Sequence, residues 1–234
     1  MNDSLFKDEI LKCEERFYEV KGLPGGEYDS QAVKYDKLVS YWIYNKIMWG
    51  NSPKNYSDFA KESLKNSSRG IIADIGCGSL SFTSSAYANL QEEIFLCDLS
   101  AEMLKIGKIR IDEKTNNPSS IHFLRADAMN MPFRDESIQT VFSFGFLHVM
   151  ENPSGLIQEF NRILKPDGSL YVSSLCTDRK FSARYLHLLQ KKGHVANPMS
   201  SDEIGTIITK NGFQIKTKRV IGGMSYFTAN KISA

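Results

Sequence analysis

The sequence has few cysteines and no long apolar run. Its four cysteines, Cys13, Cys77, Cys97 and Cys176, form no C-x-x-C pair and no Cys/His spacing typical of zinc ligands. We therefore expect a reducing cytoplasmic environment and no bound metal. No stretch approaches the roughly 20 apolar residues that cross a bilayer. The polar, acidic first ten residues predict no signal peptide, and together these absences predict a soluble protein without stable membrane insertion.

The chain also lacks a strong charge of either sign. Its formal net charge is +2 over 234 residues, and its Lys and Arg residues are scattered in short clusters. This charge is too small to predict binding to nucleic acid or to an anionic membrane surface. A chain of this length buries one substantial core, so we expect one domain with appendages.

The most informative segment that is present runs I-I-A-D-I-G-C-G-S-L from Ile71 to Leu80. An apolar strand leads to Asp74, and the chain then turns through Gly76 and Gly78 before a helical pattern. Glycines at this spacing bring bare backbone close to a ligand. The carboxylate beside the turn repels phosphate and favours an ammonium or hydroxyl group. The expected ligand therefore carries cationic or hydroxyl groups and has no pyrophosphate.

Beyond residue 70, short apolar runs alternate with helical patterns, which predicts βα units and a parallel sheet. The predicted parallel strands are Gly70 to Asp74, Ile94 to Asp98, Ile121 to Ala126, Ile138 to Phe144 and Ser169 to Leu175. A capping box at Ser200 and Glu203 begins a later helix. Alternating runs at 213–219 and 224–230 predict an antiparallel hairpin. The predicted fold class is an α/β, Rossmann-like doubly wound sheet, mostly parallel, with an antiparallel C-terminal hairpin and an N-terminal helical lid.

Residues 1–66 form the predicted lid and substrate segment, with helical patterns at 3–20 and 31–48. Residues 67–234 form the predicted ligand-binding domain, and 176–204 within it is a candidate substrate-side insertion. The second helical stretch is rich in rings, namely Tyr35, Tyr41, Trp42, Tyr44 and Trp49. These rings either pack the segment onto the sheet or shape a substrate pocket near the strand ends.

Two further carboxylates end successive predicted strands. Asp98 lies about 20 residues beyond the glycine turn, where a carboxylate can accept hydrogen bonds from two ribose hydroxyls. The alternative is that Asp98 caps the following helix, although Ser100 is the better cap. Asp127 ends the third strand and either accepts from an adenine amino group or caps its own loop. Open α/β sheets bind ligands at these carboxyl ends, so Asp74, Asp98 and Asp127 predict one shared site.

These motifs resemble those of class I S-adenosylmethionine-dependent methyltransferases. D-I-G-C-G-S-L resembles the family's D-x-G-x-G-x-G, C-D-L-S-A-E-M-L its ribose motif, and R-A-D-A-M-N-M-P-F its adenine-side loop. The segments F-G-F-L-H-V-M-E-N-P and R-I-L-K-P-D-G-S-L resemble the small-molecule branch that includes ubiquinone and menaquinone biosynthesis enzymes. The third family glycine is replaced here by Leu80.

The resemblance implies S-adenosylmethionine as cofactor, S-adenosylhomocysteine as product and a small-molecule methyl acceptor. Gly76, Gly78 and Asp74 would hold the methionine part, and Asp98 the ribose. The remaining implied cofactor contacts are Leu99 and Met103 at the adenine, Asp127 and Ala128 at the base, and Phe144 and Gly145 near the methionine end. Met103 has an alternative role as a core residue.

The candidate catalytic residues are His148 and Tyr35. His148 follows the fourth strand near the expected methyl group and either accepts a proton or forms part of the pocket wall. A dinucleotide dehydrogenase would need G-x-G-x-x-G, but position 81 is Ser. DNA-base methylation usually requires an N-P-P-Y-type segment where this chain has F-G-F-L. A protein that binds the cofactor without transferring a methyl group stays open as the alternative function.

Overall fold

The computed structural model describes residues 3–23, 42–88, 90–115 and 118–233. Among these residues, nine strands form one sheet in the order β1-β2-β5-β4-β3-β6-β7-β9-β8. Their bounds are β1 Ile10–Glu14, β2 Phe17–Val20, β3 Ile72–Ile75, β4 Ile94–Asp98, β5 Ile121–Arg125, β6 Ile138–Phe144, β7 Leu164–Leu175, β8 Phe213–Ile221 and β9 Met224–Lys231.

The centre of the sheet is the five-stranded parallel unit β5-β4-β3-β6-β7. Its strands are almost fully buried, as expected for continuous apolar runs that helices cover on both faces. The Rossmann-like, mostly parallel sheet predicted from the sequence is therefore confirmed. The strand order changes direction at β3, which places a crevice beside its carboxyl end.

Six helices among the described residues flank the sheet, and an additional turn Trp42–Tyr44 continues as a π-helix over Asn45–Trp49. Their bounds are α1 Pro53–Asn66, α2 Ser84–Tyr87, α3 Ala101–Asp112, α4 Pro153–Ile163, α5 Lys180–Lys191 and α6 Ser201–Lys210. The predicted capping box of α6 is confirmed: the Ser200 hydroxyl accepts from the Glu203 amide, and the Glu203 carboxylate accepts from the Ser200 amide.

The C-terminal hairpin is also confirmed, because β9 pairs antiparallel with both β7 and β8. Strand β7 begins five residues earlier than predicted, at Leu164. The K-P-D-G segment is a bulge within it, since Ile138 pairs with Leu164 while Thr140 pairs with Ser169. Asp167 adopts a φ of +59° in this bulge.

The predicted helix at 3–20 is wrong, because this segment contains the antiparallel hairpin β1–β2. The hairpin turns at Arg16, whose φ is +60°, and β2 then runs parallel to β5. Phe17 is buried in the core on one face of the sheet, while the Arg16 guanidinium forms an ion pair with Asp112 on α3. Docking to the open edge of β5 therefore overrides the local helical pattern.

The two outermost strands of the sheet are irregular and charged. The pairing of β1 shifts register between Lys12 and Glu14, and the pairing of β8 shifts between Ile215 and Thr217. Most side chains on both strands are exposed to solvent. In the part of the chain that the structure describes, no helix is long and apolar enough to cross a bilayer.

Candidate active site

A cavity of about 410 Å³ opens at the carboxyl ends of β3 and β6. One half is formed by the loop after β3 and the end of β6. The other half is formed by the π-helical segment, α5 and the residues that follow α5. The sequence-predicted residues that line it are Asp74, Gly76, Gly78, Met103, Phe144, Gly145 and His148.

The loop after β3 is the glycine turn expected from the sequence. Gly76 and Gly78 adopt φ values of +73° and +56°, a region that side chains with a Cβ rarely adopt. A Cβ on Gly76 would lie 2.3 Å from the Phe146 ring, whereas one on Gly78 would meet no atom within 4 Å. The Gly76 and Cys77 amides both donate to the Cys97 carbonyl, which fixes the turn against β4.

Asp74 is a buried carboxylate that is only half satisfied. Its Oδ2 accepts a hydrogen bond of 2.8 Å from the Tyr87 hydroxyl, while its buried Oδ1 has no partner. Burial raises the pKa of this carboxyl to about 7, although the Tyr87 bond acts in the opposite direction. Asp74 lines the cavity, and a buried carboxylate oxygen without a partner is chemically suited to a cationic group of a ligand.

Leu80 stands where the D-x-G-x-G-x-G motif that this turn resembles has its third glycine. Its side chain is 2 % exposed and its φ is +58°, so the turn keeps a glycine-like backbone. A Cβ on Gly107 would lie 3.1 Å from the Leu80 Cγ. The Leu80 side chain therefore fills the space left by a glycine on α3.

The carboxylates of Asp98 and Asp127, at the ends of β4 and β5, accept hydrogen bonds from nearby backbone amides. The Asp98 carboxylate accepts from the amides of Gly78 and Ser100, at 2.8 and 2.9 Å. Ser100 caps α3 by accepting from the Met103 amide, as its position in the sequence predicts. Asp127 accepts from the Met129 amide at 2.9 Å, which is the loop-capping contact considered as its alternative.

Four predicted cofactor residues, Asp98, Leu99, Asp127 and Ala128, lie at the ends of β4 and β5 and do not line the cavity. Sheet pairing nevertheless brings these strand ends together, since the Ala126 amide donates to the Asp98 carbonyl. Asp98 is partly exposed beside the glycine turn. The ribose and adenine roles of these residues stay predictions.

His148 lies in a short 3-10 turn after β6 and is 4 % exposed. Burial lowers the pKa of its imidazole to about 4, so the ring is neutral around pH 7. Its Nδ1 is 3.5 Å from the Ser174 hydroxyl. A neutral imidazole on the cavity wall can accept a proton, so both roles considered for His148 fit its position.

Three rings form the far wall of the cavity: Tyr44, Trp49 and Tyr185. The Trp49 and Tyr185 ring centroids are 5.3 Å apart, and the two tyrosine hydroxyls are 3.3 Å apart. Trp49 is buried against Leu186, so the ring both packs and lines the cavity. The predicted catalytic residue Tyr35, with Tyr41, lies outside the described residues.

The sequence reasoning did not identify Tyr56 or Tyr185 as site residues. The Tyr56 hydroxyl lies 2.5 Å from where a Cβ on Gly145 would be, so this glycine admits the tyrosine. Tyr185 reaches the cavity because α5 packs against the π-helical segment. Neither belongs to a local motif, and the only signal is an aromatic residue within an amphipathic helix.

The chain is similar to known methyltransferases. Residues 73–172 match the family model described as a methyltransferase domain. A demethylmenaquinone methyltransferase from Staphylococcus haemolyticus is 37% identical over 146 residues, or 61% of this chain and 56% of that protein. A ubiquinone/menaquinone biosynthesis C-methyltransferase from Geotalea daltonii is 26% identical over 163 residues, which cover 68% of this chain and 66% of that protein.

The solved structures agree on the fold. Geranyl diphosphate C-methyltransferase from Streptomyces coelicolor, solved with Mg²⁺, geranyl diphosphate and S-adenosyl-L-homocysteine, superposes with a TM-score of 0.64. It is 13% identical, and the match covers 89% of this chain and 100% of that one. The chain spans about half the length of the curated relatives it matches.

Proposed function

We propose that this chain, which carries a class I S-adenosylmethionine-dependent methyltransferase domain, transfers a methyl group from S-adenosylmethionine to a small-molecule acceptor. The observation that carries the proposal is one cavity that is lined both by Asp74, whose buried Oδ1 has no partner, and by the rings of Tyr44, Trp49 and Tyr185. One end has the chemistry for a cationic cofactor, and the other has space for an apolar acceptor.

The residues of the glycine turn fit the cofactor. Asp74 would accept from the ammonium group, because that contact satisfies its buried Oδ1. Gly78 faces open space and leaves room for the ligand to approach the backbone. Asp98 would hold the ribose, because its carboxylate lies beside the glycine turn, where it accepts from the Gly78 and Ser100 amides.

When bound, S-adenosylmethionine supplies an electrophilic methyl group on its sulfonium. The protein then has to align the acceptor atom and exclude water. Phe144, Tyr56 and Met224 supply the apolar surface between the two ends of the cavity. If the methyl acceptor atom is oxygen or nitrogen, it loses a proton on methylation. The unprotonated ring nitrogen of His148 would accept that proton.

The test is methyl transfer from labelled S-adenosylmethionine to small molecules extracted from cells, followed by identification of the labelled product. A short-chain demethylmenaquinone belongs in the panel, because relatives are named for that substrate. A labelled product that requires the active protein supports the proposal. If the protein binds the cofactor but labels no molecule, it is a cofactor-binding protein without transfer activity.

The cofactor assignment has a separate test by calorimetry. Asp98→Ala is expected to weaken binding of S-adenosylhomocysteine by about 1.5 to 3 kcal/mol, since charge-assisted hydrogen bonds are lost. Asp58→Ala, on the exposed face of α1, is the matched control. Unchanged affinity in a folded Asp98→Ala variant would contradict the ribose assignment.

A further inference from the structure

The segment that forms one wall of the cavity carries basic side chains and no acidic ones. Residues 179–201 contain five Lys or Arg residues and no Asp or Glu. The whole chain carries a formal charge of +2, so the rest of the chain is net negative. The wall formed by α5 and the residues that follow it is therefore a positively charged part of a nearly neutral chain.

This segment contributes apolar groups and one cation, Lys192, to the cavity. Tyr185, Leu189 and Val195 line it, and the exposed side chains of Lys192 and His194 stand at its rim. Tyr44 and Trp49, on the same side of the cavity, add rings, and the described residues of this side contribute no carboxylate. An aromatic chamber with a cationic rim is complementary to an apolar anion.

Among the described residues that line the cavity, Asp74 is the single carboxylate. It lies on β3 at the other end of the cavity, where Tyr87 donates to it. A cationic acceptor would therefore meet Lys192 at the rim, and the described residues around the rings offer it no carboxylate. The charge pattern favours an anionic acceptor over an amine.

We propose that the methyl acceptor is an aromatic or extended apolar molecule that carries an anionic group, such as a carboxylate, sulfonate or phosphate. Its apolar part lies against Tyr44, Trp49 and Tyr185, and its anionic group faces Lys192. This inference rests on the proposed methyl transfer and names the class of acceptor at that same site.

The first experiment fractionates the acceptor before the reaction. A small-molecule cell extract is passed over a strong anion exchanger at pH 8, and the flow-through and salt-eluted fractions are each incubated with protein and labelled cofactor. The label is expected in the salt-eluted fraction. Label in the flow-through, or on a neutral demethylmenaquinone, overturns the anionic acceptor while supporting methyl transfer.

The second experiment does not depend on turnover. The probes are 8-anilinonaphthalene-1-sulfonate and its uncharged relative N-phenyl-1-naphthylamine, titrated by fluorescence in the presence of S-adenosylhomocysteine. Lys192→Glu is expected to weaken sulfonate binding about tenfold and to leave the uncharged probe within about twofold, since one rim charge is reversed. Lys191→Glu makes the same charge change on a neighbouring residue that does not line the cavity.

The two variants separate a local contact from the overall charge of the segment. Equal weakening by Lys191→Glu and Lys192→Glu, or equal effects on both probes, overturns the assignment of Lys192. If no fraction is labelled, the proposed methyl transfer fails, and the probe titration still decides whether the cavity selects an apolar anion. Calorimetry with S-adenosylhomocysteine is expected to show unchanged cofactor affinity in both variants.

Discussion

Above its ordinary pKa, the buried Asp74 carboxyl lowers the free energy of unfolding of the protein without cofactor. The cause is burial, which raises the pKa of this carboxyl to about 7. The stability that this group contributes is present below about pH 4 and is lost as the pH rises through 7. An ammonium group beside Oδ1 would offset this cost by favouring the ionised form. The cofactor would thus stabilise the site that binds it.

Asp74→Asn removes this titration and is our first prediction. The free energy of unfolding of the variant, relative to the wild type without cofactor, is expected to rise by on the order of 2 kcal/mol between pH 5 and pH 8. Cofactor affinity at pH 8 is expected to fall. Urea unfolding at both pH values measures the first effect, with Asp58→Asn as control. A constant difference between the two pH values would contradict the raised pKa.

His148 gives the second prediction. His148→Gln is expected to lower kcat roughly 100-fold with a smaller change in KM, as for the loss of a proton acceptor. The imidazole pKa of about 4 means that its protonation does not limit the wild-type rate between pH 5 and pH 8. His187→Gln, on the exposed face of α5, is the control. A higher KM with unchanged kcat would instead identify His148 as part of the pocket wall.

At the residue scale, the sequence predicts the glycine turn and the carboxylates because each depends on a local pattern. Asp74 lies near the end of an apolar strand, and Gly76 adopts a positive φ in the turn that follows. Tyr56 and Tyr185 could not be found in this way, since they reach the cavity through packing between elements that are far apart in the chain. Side chains that meet through the packing of distant elements form no recurring pattern in the sequence.

At the scale of elements, the parallel strands were predictable because their apolar runs are continuous and are interrupted by turn residues. The hairpin β1–β2 could not be predicted in this way, because the spacing of its apolar residues is helical: Phe6, Ile10, Cys13 and Phe17. Its strands form because β5 offers an unpaired edge and a buried position for Phe17. That edge is a property of the folded sheet, not of the local sequence.

The third prediction concerns this hairpin. Phe17→Ala is expected to lower the free energy of unfolding by roughly 3 kcal/mol, because a ring that is 5 % exposed leaves a cavity in the core. Leu11→Ala, at an exposed position of β1, is expected to have a much smaller effect. Urea unfolding measures both. Cofactor affinity of folded Phe17→Ala is expected to be unchanged, since β2 is separated from β3 by two strands.

For the whole molecule, cofactor binding and folding are coupled. S-adenosylhomocysteine at 100 times its Kd is expected to add about 2.7 kcal/mol to the free energy of unfolding. For a chain of this size the corresponding rise in Tm is roughly 5 to 10 °C. Thermal unfolding at increasing ligand concentration measures it. The Asp98→Ala variant is expected to need a higher ligand concentration for the same rise in Tm. An unchanged Tm of the wild-type protein in saturating ligand would contradict the assigned site.

The outer strands of the sheet have a consequence for the protein at high concentration. Lys12 and Glu14 on β1, and Lys216, Lys218 and Arg219 on β8, interrupt both edges with charge, and each edge shifts register near them. A second sheet would have to desolvate these groups to extend the hydrogen-bonded ladder. Aggregation is therefore expected to start from unfolded chains, so that ligands which favour the folded state also preserve solubility.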